Sequence, residues 1–230
     1  MKLFPGDMQS RDEYKSTQIA RSQRKFGYCK VSVHDVCKYA DLVRGLDGTR
    51  ASLPGPVLCL GTRNGREVDL FRSQWFGPRA VAAGVRVTEI YSQSFRSRLP
   101  VLEGIGRSDR NDLSPRSVIG VELNPQAERR DIWIGSFDEM PTEWSASFPV
   151  IYSNSFDQSQ DPERTAAEWK RVLRPGGILI FCFTNGAKPT VADRVGDITK
   201  EDVLALFGGR LLHFADRGSR NGYTEVILQR

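Results

Sequence analysis

A chain of 230 residues with 39% hydrophobic and 27% charged side chains can bury a substantial core, which excludes a disordered protein. No apolar run approaches the roughly 20 residues of a membrane-spanning helix, and Met1-Lys2-Leu3-Phe4-Pro5-Gly6-Asp7 lacks the apolar stretch of a secretory signal. No membrane partner and a cytoplasmic location are therefore expected. The net charge of +5 is unevenly placed: residues 1–50 hold ten Lys/Arg against six Asp/Glu, and residues 71–118 hold eight Arg against four acids. Such surfaces attract anionic partners, or simply solvate exposed segments.

In chain order, residues 1–10 read as a flexible start. Arg11 to Arg24 has helical composition without an apolar stripe, as an exposed or loosely packed helix would. Val33 to Val43 is better patterned: Val33, Val36, Tyr39/Ala40 and Val43 recur at three-to-four spacing and predict an amphipathic helix docked on a core. Gly45 and Asp47-Gly48 end it, and Pro54-Gly55-Pro56 leads into an apolar strand, Val57-Leu58-Cys59-Leu60. That strand stops at Gly61-Thr62-Arg63-Asn64-Gly65, a tight turn into a helix from Arg66 to Phe76 with Val68, Phe71 and Arg72 on one flank. Residues 79–117 read as an insertion. Within them Val85 to Tyr91 alternates like a strand and Gly106 to Pro115 like a loop.

Val118-Ile119-Gly120-Val121-Glu122 is the second core strand, closed by a carboxylate and punctuated by Asn124-Pro125; Glu89, at the end of the alternating run, is the competing candidate. Asp131 to Ile134 and Pro149 to Ser153 are the third and fourth strands. Asp161 caps a helix over Pro162 to Val172, with Pro162 at its first position and Ala166, Trp169, Val172 and Leu173 facing inward. Gly176-Gly177 closes it, and Ile178 to Phe183 is a fully apolar fifth strand. Thr199 to Phe207 is a capped helix, and Arg210 to Ala215 with Thr224 to Gln229 forms a closing antiparallel pair. Cys59 and Cys182 lie in core strands, Cys29 and Cys37 outside them. No C-x-x-C pair occurs and His34 and His213 are the only histidines, so neither a disulfide scaffold nor a metal site is expected.

The order of these elements, with Asp161-Pro162-Glu163 followed by Glu168-Trp169-Lys170-Arg171-Val172-Leu173-Arg174-Pro175-Gly176-Gly177, resembles the class I S-adenosylmethionine-dependent methyltransferases over roughly residues 54–230. The resemblance implies an α/β, Rossmann-like, doubly wound and mostly parallel sheet with a C-terminal antiparallel hairpin. Residues 1–50 then form a helical cap and residues 51–230 the methyltransferase domain with its insertion at 79–117. It also implies bound S-adenosylmethionine and methyl transfer to an acceptor it does not identify.

By the same resemblance the turn of Gly61, Thr62, Arg63, Asn64 and Gly65 meets the methionine portion through backbone N–H groups. Cys59 and Arg63 depart from the family, which has an acid and a glycine there, so Glu67 becomes the candidate for holding the ammonium; a first-turn Glu also complements the helix dipole. Glu122, with Leu123 beside it, is expected to accept both ribose hydroxyls. Ser136, Phe137 and Asp138 sit where adenine is gripped, Phe137 being equally a core residue. Ser153, Asn154 and Ser155 end the fourth strand beside the transferred methyl. Asp157 is the candidate general base, with loop shaping and helix capping as its plainer role, and Tyr28 and His34 enter from the cap. A small-molecule acceptor is the first reading. An RNA or protein acceptor on the basic segments, where arginines interleave with Tyr91 and Phe95, and a non-catalytic S-adenosylmethionine-binding regulatory protein are the others; a homodimer is compatible with all three.

Overall fold

The computed structural model describes residues 1–6, 10–46, 53–76, 109–184, 186–216 and 223–230. The strand expected over 85–91, with Glu89, and most of the 79–117 segment lie outside the described residues. In chain order the elements are β1 (Lys2–Leu3), α1 (Arg11–Arg24), α2 (Val33–Gly45), β2 (Val57–Leu60), α3 (Arg66–Phe71, continued by a π-helical turn over Arg72–Phe76), β3 (Val118–Glu122) and β4 (Ile132–Ile134). After them come β5 (Phe148–Ser153), α4 (Pro162–Val172), β6 (Leu173–Phe183), β7 (Val195–Gly196), α5 (Lys200–Phe207), β8 (Arg210–Ala215) and β9 (Thr224–Gln229).

Seven strands form one sheet in the order β4-β3-β2-β5-β6-β9-β8. The first five are parallel, while β9 runs antiparallel to β6 and β8 antiparallel to β9. This is the Rossmann-like sheet with a closing hairpin that the resemblance implies. Its inner strands are apolar throughout because helices cover both faces. One face buries Leu58, Ile119, Ile151, Leu179 and Phe181 with Trp169 of α4 and Phe207 of α5. The other buries Val57, Cys59, Val150, Tyr152 and Ile180 with Val36, Tyr39 and Val43 of α2 and Phe71 of α3.

Two features position the functional edge. The order in which strands are added reverses at β2, which has β3 on one side and the later, parallel β5 on the other, and a doubly wound sheet opens its ligand crevice at the carboxyl ends of such a pair. Val57 lies opposite Val118 on β3 and Val150 on β5, which brings Leu60 beside Val121 and Ser153. The loops after β2, β3 and β5 therefore meet at one edge. Below it, the Phe156 ring packs at 5.4 Å against Trp169, Phe181 and Phe207. Such aromatic pairs contribute roughly 1 kcal/mol each and fix the loop carrying Asp157.

Three local expectations are corrected. The start of the chain is ordered: Lys2–Leu3 pairs antiparallel with Val195–Gly196. Gly176-Gly177 does not close α4, which ends at Val172 with Leu173 already extended (φ −72°, ψ 126°); Gly176, at φ +71°, lies instead within the leading stretch of β6. Finally, α1 is not loosely packed. It begins with a reciprocal Ser10–Glu13 capping box and buries Tyr14, Gln18 and Ser22, one side chain per turn. Its seam is polar, which is why an apolar stripe does not reveal it.

Candidate functional site

The turn after β2 has a conformation that explains its glycines. Gly61 (φ +74°) and Gly65 (φ +77°) occupy the left-handed region, and a Cβ on Gly61 would lie 2.4 Å from Ser155 Oγ. Arg63, where the family has glycine, takes the same left-handed conformation at φ +52°. Its cost is offset by a hydrogen bond from its backbone N–H to Glu122 Oε2 at 2.7 Å. Four of the turn's five amides bond within the protein: Gly61 and Thr62 donate to Val121 O, Gly65 to Thr62 O and Arg63 to Glu122. Three of these bonds lash the turn to β3. Behind the turn Arg129 and Arg72 converge on the fully buried Asp131, and Arg129 also donates to Gly65 O, fixing the start of α3.

Glu67, in the first turn of α3, is only 4% exposed. Its Oε1 accepts from Asn154 Nδ2 at 2.8 Å, whereas its Oε2 is buried and accepts no hydrogen bond from any described residue. Burial pushes its pKa up to about 7, against which the Asn154 hydrogen bond and Arg63 act only partly. A buried carboxylate with an empty acceptor position suits a cationic group. Beside it, Ser153 Oγ donates to Leu60 O and Ser155 Oγ to Asn154 Oδ1, so the end of β5 and the turn after β2 form one hydrogen-bonded unit.

Glu122 closes β3 as expected and is 7% exposed. Its carboxylate is already engaged by Arg63 N, by Asn124 N at 3.1 Å and by Ser22 Oγ of α1 at 3.1 Å. Of about four acceptor positions on a carboxylate one remains, so a diol taking two would displace the serine. Leu123 is half-buried beside it. Ser136 and Asp138 interact with each other, and Asp138 accepts from the Thr165 hydroxyl at 2.5 Å. Burial raises the Asp138 pKa. Phe137 is 8% exposed and stands edge-on to Trp169 at 5.7 Å, so packing is the role its contacts display.

Asp157 has a buried Oδ1 without a hydrogen-bond partner among the described residues. Burial, then the nearby Asp193, push its pKa up to about 6, while Lys30 and Arg21 pull the other way. Of the two cap residues, the Tyr28 ring lies under the Arg63 guanidinium at 5.3 Å, but His34 is exposed on the outer side of α2 and does not join the site.

Sequence reasoning expects a cap from residues 1–50 but misses the polar bonds by which α1 roofs the edge. Tyr14 donates to Gln158 O and Ala192 O, Ser22 to Glu122, and Arg21 pairs with Asp193, so α1 spans the carboxyl edge from β3 to the segment before β7. The chain after it closes on the turn: Asn64 Nδ2 donates to Phe26 O, Arg66 to Gly27 O and Arg63 to Tyr28 O. The four-residue spacing of Tyr14, Gln18 and Ser22 is the one signal that could have shown it.

The arrangement fits a sulfonium nucleotide: an unmet buried acid for an ammonium, a strand-end acid for a sugar, and a switch-point edge between them. A family model described as "Methyltransferase domain" matches residues 103–181. No curated protein sequence is significantly similar to the chain. Among solved structures, a Burkholderia thailandensis 1,6-didemethyltoxoflavin-N1-methyltransferase with bound 1,6-didemethyltoxoflavin and S-adenosylhomocysteine aligns with TM-score 0.54 at 12% identity, over 99% of this chain and 93% of its own. The putative methyltransferase of Haloferax volcanii, in complex with the Trm112 activator, aligns with TM-score 0.50 at 14% identity, over 97% and 99%. The [4+2]-cyclase SpnF aligns with TM-score 0.51 at 12% identity, over 100% and 99%. Likenesses at such identities concern the fold. The family match by itself marks a methyltransferase domain over residues 103–181, for which S-adenosylmethionine is the methyl donor, and the fold likenesses agree with it.

Proposed function

We propose that the acceptor is a small molecule and that the donor lies across the carboxyl ends of β2, β3 and β5. The observation that carries this reading is Glu67: a buried acid with one empty acceptor position, hydrogen-bonded to Asn154, where the chain after β2 meets the chain after β5. In this reading Glu67 holds the donor's ammonium through Oε2 and Asn154 keeps its carboxylate oriented. Gly61, Thr62, Arg63, Asn64 and Gly65 shape the floor under the methionine portion. Glu122 and Leu123 meet the ribose, Ser136, Phe137 and Asp138 surround the adenine, and Ser153 and Ser155 hold the end of β5 in register. Bound S-adenosylmethionine supplies an electrophilic methyl with a good leaving group, so the protein contributes mainly alignment and exclusion of water. Asp157, with a pKa near 6, takes a proton from an acceptor that must lose one.

A small acceptor follows from the roof. With Tyr14, Gln18 and Ser22 bonded across the edge, the crevice does not offer an open face to a folded macromolecule. A fold neighbour crystallised with a small heterocycle supports the same choice. Residues 1–50 act in this reading as a cap on a domain over residues 51–230 that carries an insertion at 79–117. The RNA or protein alternative rests on the charge of residues 1–50 and 71–118.

The test is titration of the full chain with S-adenosylmethionine by calorimetry, followed by incubation of a metabolite extract and total RNA with methyl-labelled donor. Saturable 1:1 binding and label in the low-molecular-weight fraction are expected. Label confined to RNA or protein would overturn the acceptor class.

A further inference from the structure

We propose that a water-sized cavity between α2 and the ends of β5 and β6 receives the reacting nitrogen of an amine acceptor, with Asp35 as the residue that selects it. This deepens the small-molecule reading and rests on it. Val31, Asp35 and Tyr39 come from the α2 side, Tyr152 and Asn154 from β5 and the residue beyond it, and Tyr223 from the approach to β9. Asn154 is shared with Glu67, so the cavity adjoins the place proposed for the donor. Its free volume of about 10 Å³ suits one small polar group, comparable to a single water. It therefore takes the acceptor's reacting end and leaves the body outside.

Asp35 decides what that group is. The residue is 3% exposed. Its Oδ2 accepts from Ser32 N at 2.9 Å and Ser32 Oγ at 2.7 Å, completing the cap of α2. Its Oδ1 accepts no hydrogen bond from any described residue. The tyrosine hydroxyl of Tyr39 is engaged with Glu225 Oε1 at 3.0 Å and Cys182 Sγ at 3.1 Å, and the Lys30 ammonium stands over the Tyr223 ring at 4.2 Å. The cavity thus offers an unmet anionic acceptor between aromatic walls. A carboxylate has no hydrogen to give Asp35 Oδ1. An alcohol gives it one neutral hydrogen bond, whereas an amine bound as its ammonium gives a charge-assisted one. One ammonium proton leaves to solvent before attack, which frees the nitrogen lone pair while a remaining N–H stays on Asp35. In transfer, that lone pair forms the N–C bond as the donor's C–S bond breaks with its electron pair staying on sulfur. A neutral thioether leaves, and the methylated ammonium later gives a proton to solvent.

The experiment uses the full chain saturated with S-adenosylhomocysteine and three probes that differ only in the reacting group: 2-phenylethylamine, 2-phenylethanol and phenylacetate. Calorimetry should give measurable affinity for the amine and at least about tenfold weaker binding of the other two. Asp35→Asn keeps an acceptor for the Ser32 cap and places an amide at the cavity; it should reduce amine affinity at least about tenfold while leaving S-adenosylhomocysteine binding unchanged. Val31→Phe fills the cavity without touching the cap and should block the amine in the same way, which covers a fold defect in the first variant. Equal binding of the three probes, no binding of the amine, or unaltered amine affinity in both variants would overturn the proposal and mark the cavity as a buried-water site. Failure of the wild type to bind S-adenosylhomocysteine would instead overturn the donor-site reading beneath it.

Discussion

Replacing Glu67 with glutamine separates the acid's service to a ligand from its cost to the fold. In the unfolded chain this carboxyl ionises near 4.5, but in the folded chain it stays protonated up to about 7. Folding therefore carries no charge penalty below pH 4.5, a growing one between 4.5 and 7, and a full one above 7. A displacement of that size corresponds to about 3 kcal/mol. Glutamine retains an acceptor for Asn154 but leaves two N–H hydrogens unpaired against the single O–H of the protonated acid, so below pH 4.5 the variant should be equally or slightly less stable. By pH 8 the variant should be more stable by up to about 3 kcal/mol, roughly 6–12 °C in Tm for a chain of this size. Binding should move the other way. Loss of a charged hydrogen bond worth about 1.5–3 kcal/mol weakens S-adenosylmethionine by roughly 10–100-fold. Wild-type affinity should also fall up to about tenfold from pH 7 to pH 6, because the acid must give up its proton to receive a cation; the variant should not show this dependence. Thermal melts at pH 4.5 and 8 with calorimetry at pH 6 and 7 provide the readouts. A variant that binds within twofold of wild type and gains no stability at pH 8 would refute the assignment.

Other substitutions probe the rest of the edge. Glu122→Gln should weaken S-adenosylmethionine at least about tenfold in calorimetry with a small change in Tm, since one oxygen can still accept from Arg63 N; unaltered affinity would remove the ribose assignment. Ser22→Ala frees a position on Glu122 and should tighten binding by roughly three- to tenfold, with faster association in stopped flow; weaker binding would show the serine to be part of the site and not a competitor. For an acceptor that must give a proton to the protein before attack, Asp157→Asn should leave S-adenosylmethionine affinity within twofold yet lower kcat about 100-fold. Wild-type turnover should rise through pH 6 as this carboxyl ionises and then level off, so a variant with undiminished kcat would exclude proton transfer.

The two carboxylates of the edge show different degrees of legibility. Glu122 is readable because the four strand residues before it, Val118 to Val121, carry no polar side chain, and a half-exposed strand would not tolerate them. Its neighbours are not: the Arg63 amide and the Ser22 hydroxyl reach it from positions 59 and 100 residues away. Glu67 could be suspected from a missing acid at Cys59, but its unmet oxygen is a property of burial, which no local pattern records. Phe137 fits adenine or core equally well by position, and only the Trp169 contact displays its packing role.

By itself the sequence determined the sheet, because runs such as Val57–Leu60 and Ile178–Phe183 are stable only where both faces are covered, and it determined α2, α4 and α5 through caps and spacing. It also carried the turn at Gly61–Gly65, whose backbone conformations restrict residue choice. Only the tertiary structure decided that α1 roofs the carboxyl edge, that three of the turn's amides serve β3, and that Asp35, Glu67 and Asp157 each retain an unpaired oxygen. Those features depend on which polar groups meet across distant segments and lose water there. Hydrogen bonding of that kind leaves little trace along the chain beyond the four-residue spacing of Tyr14, Gln18 and Ser22.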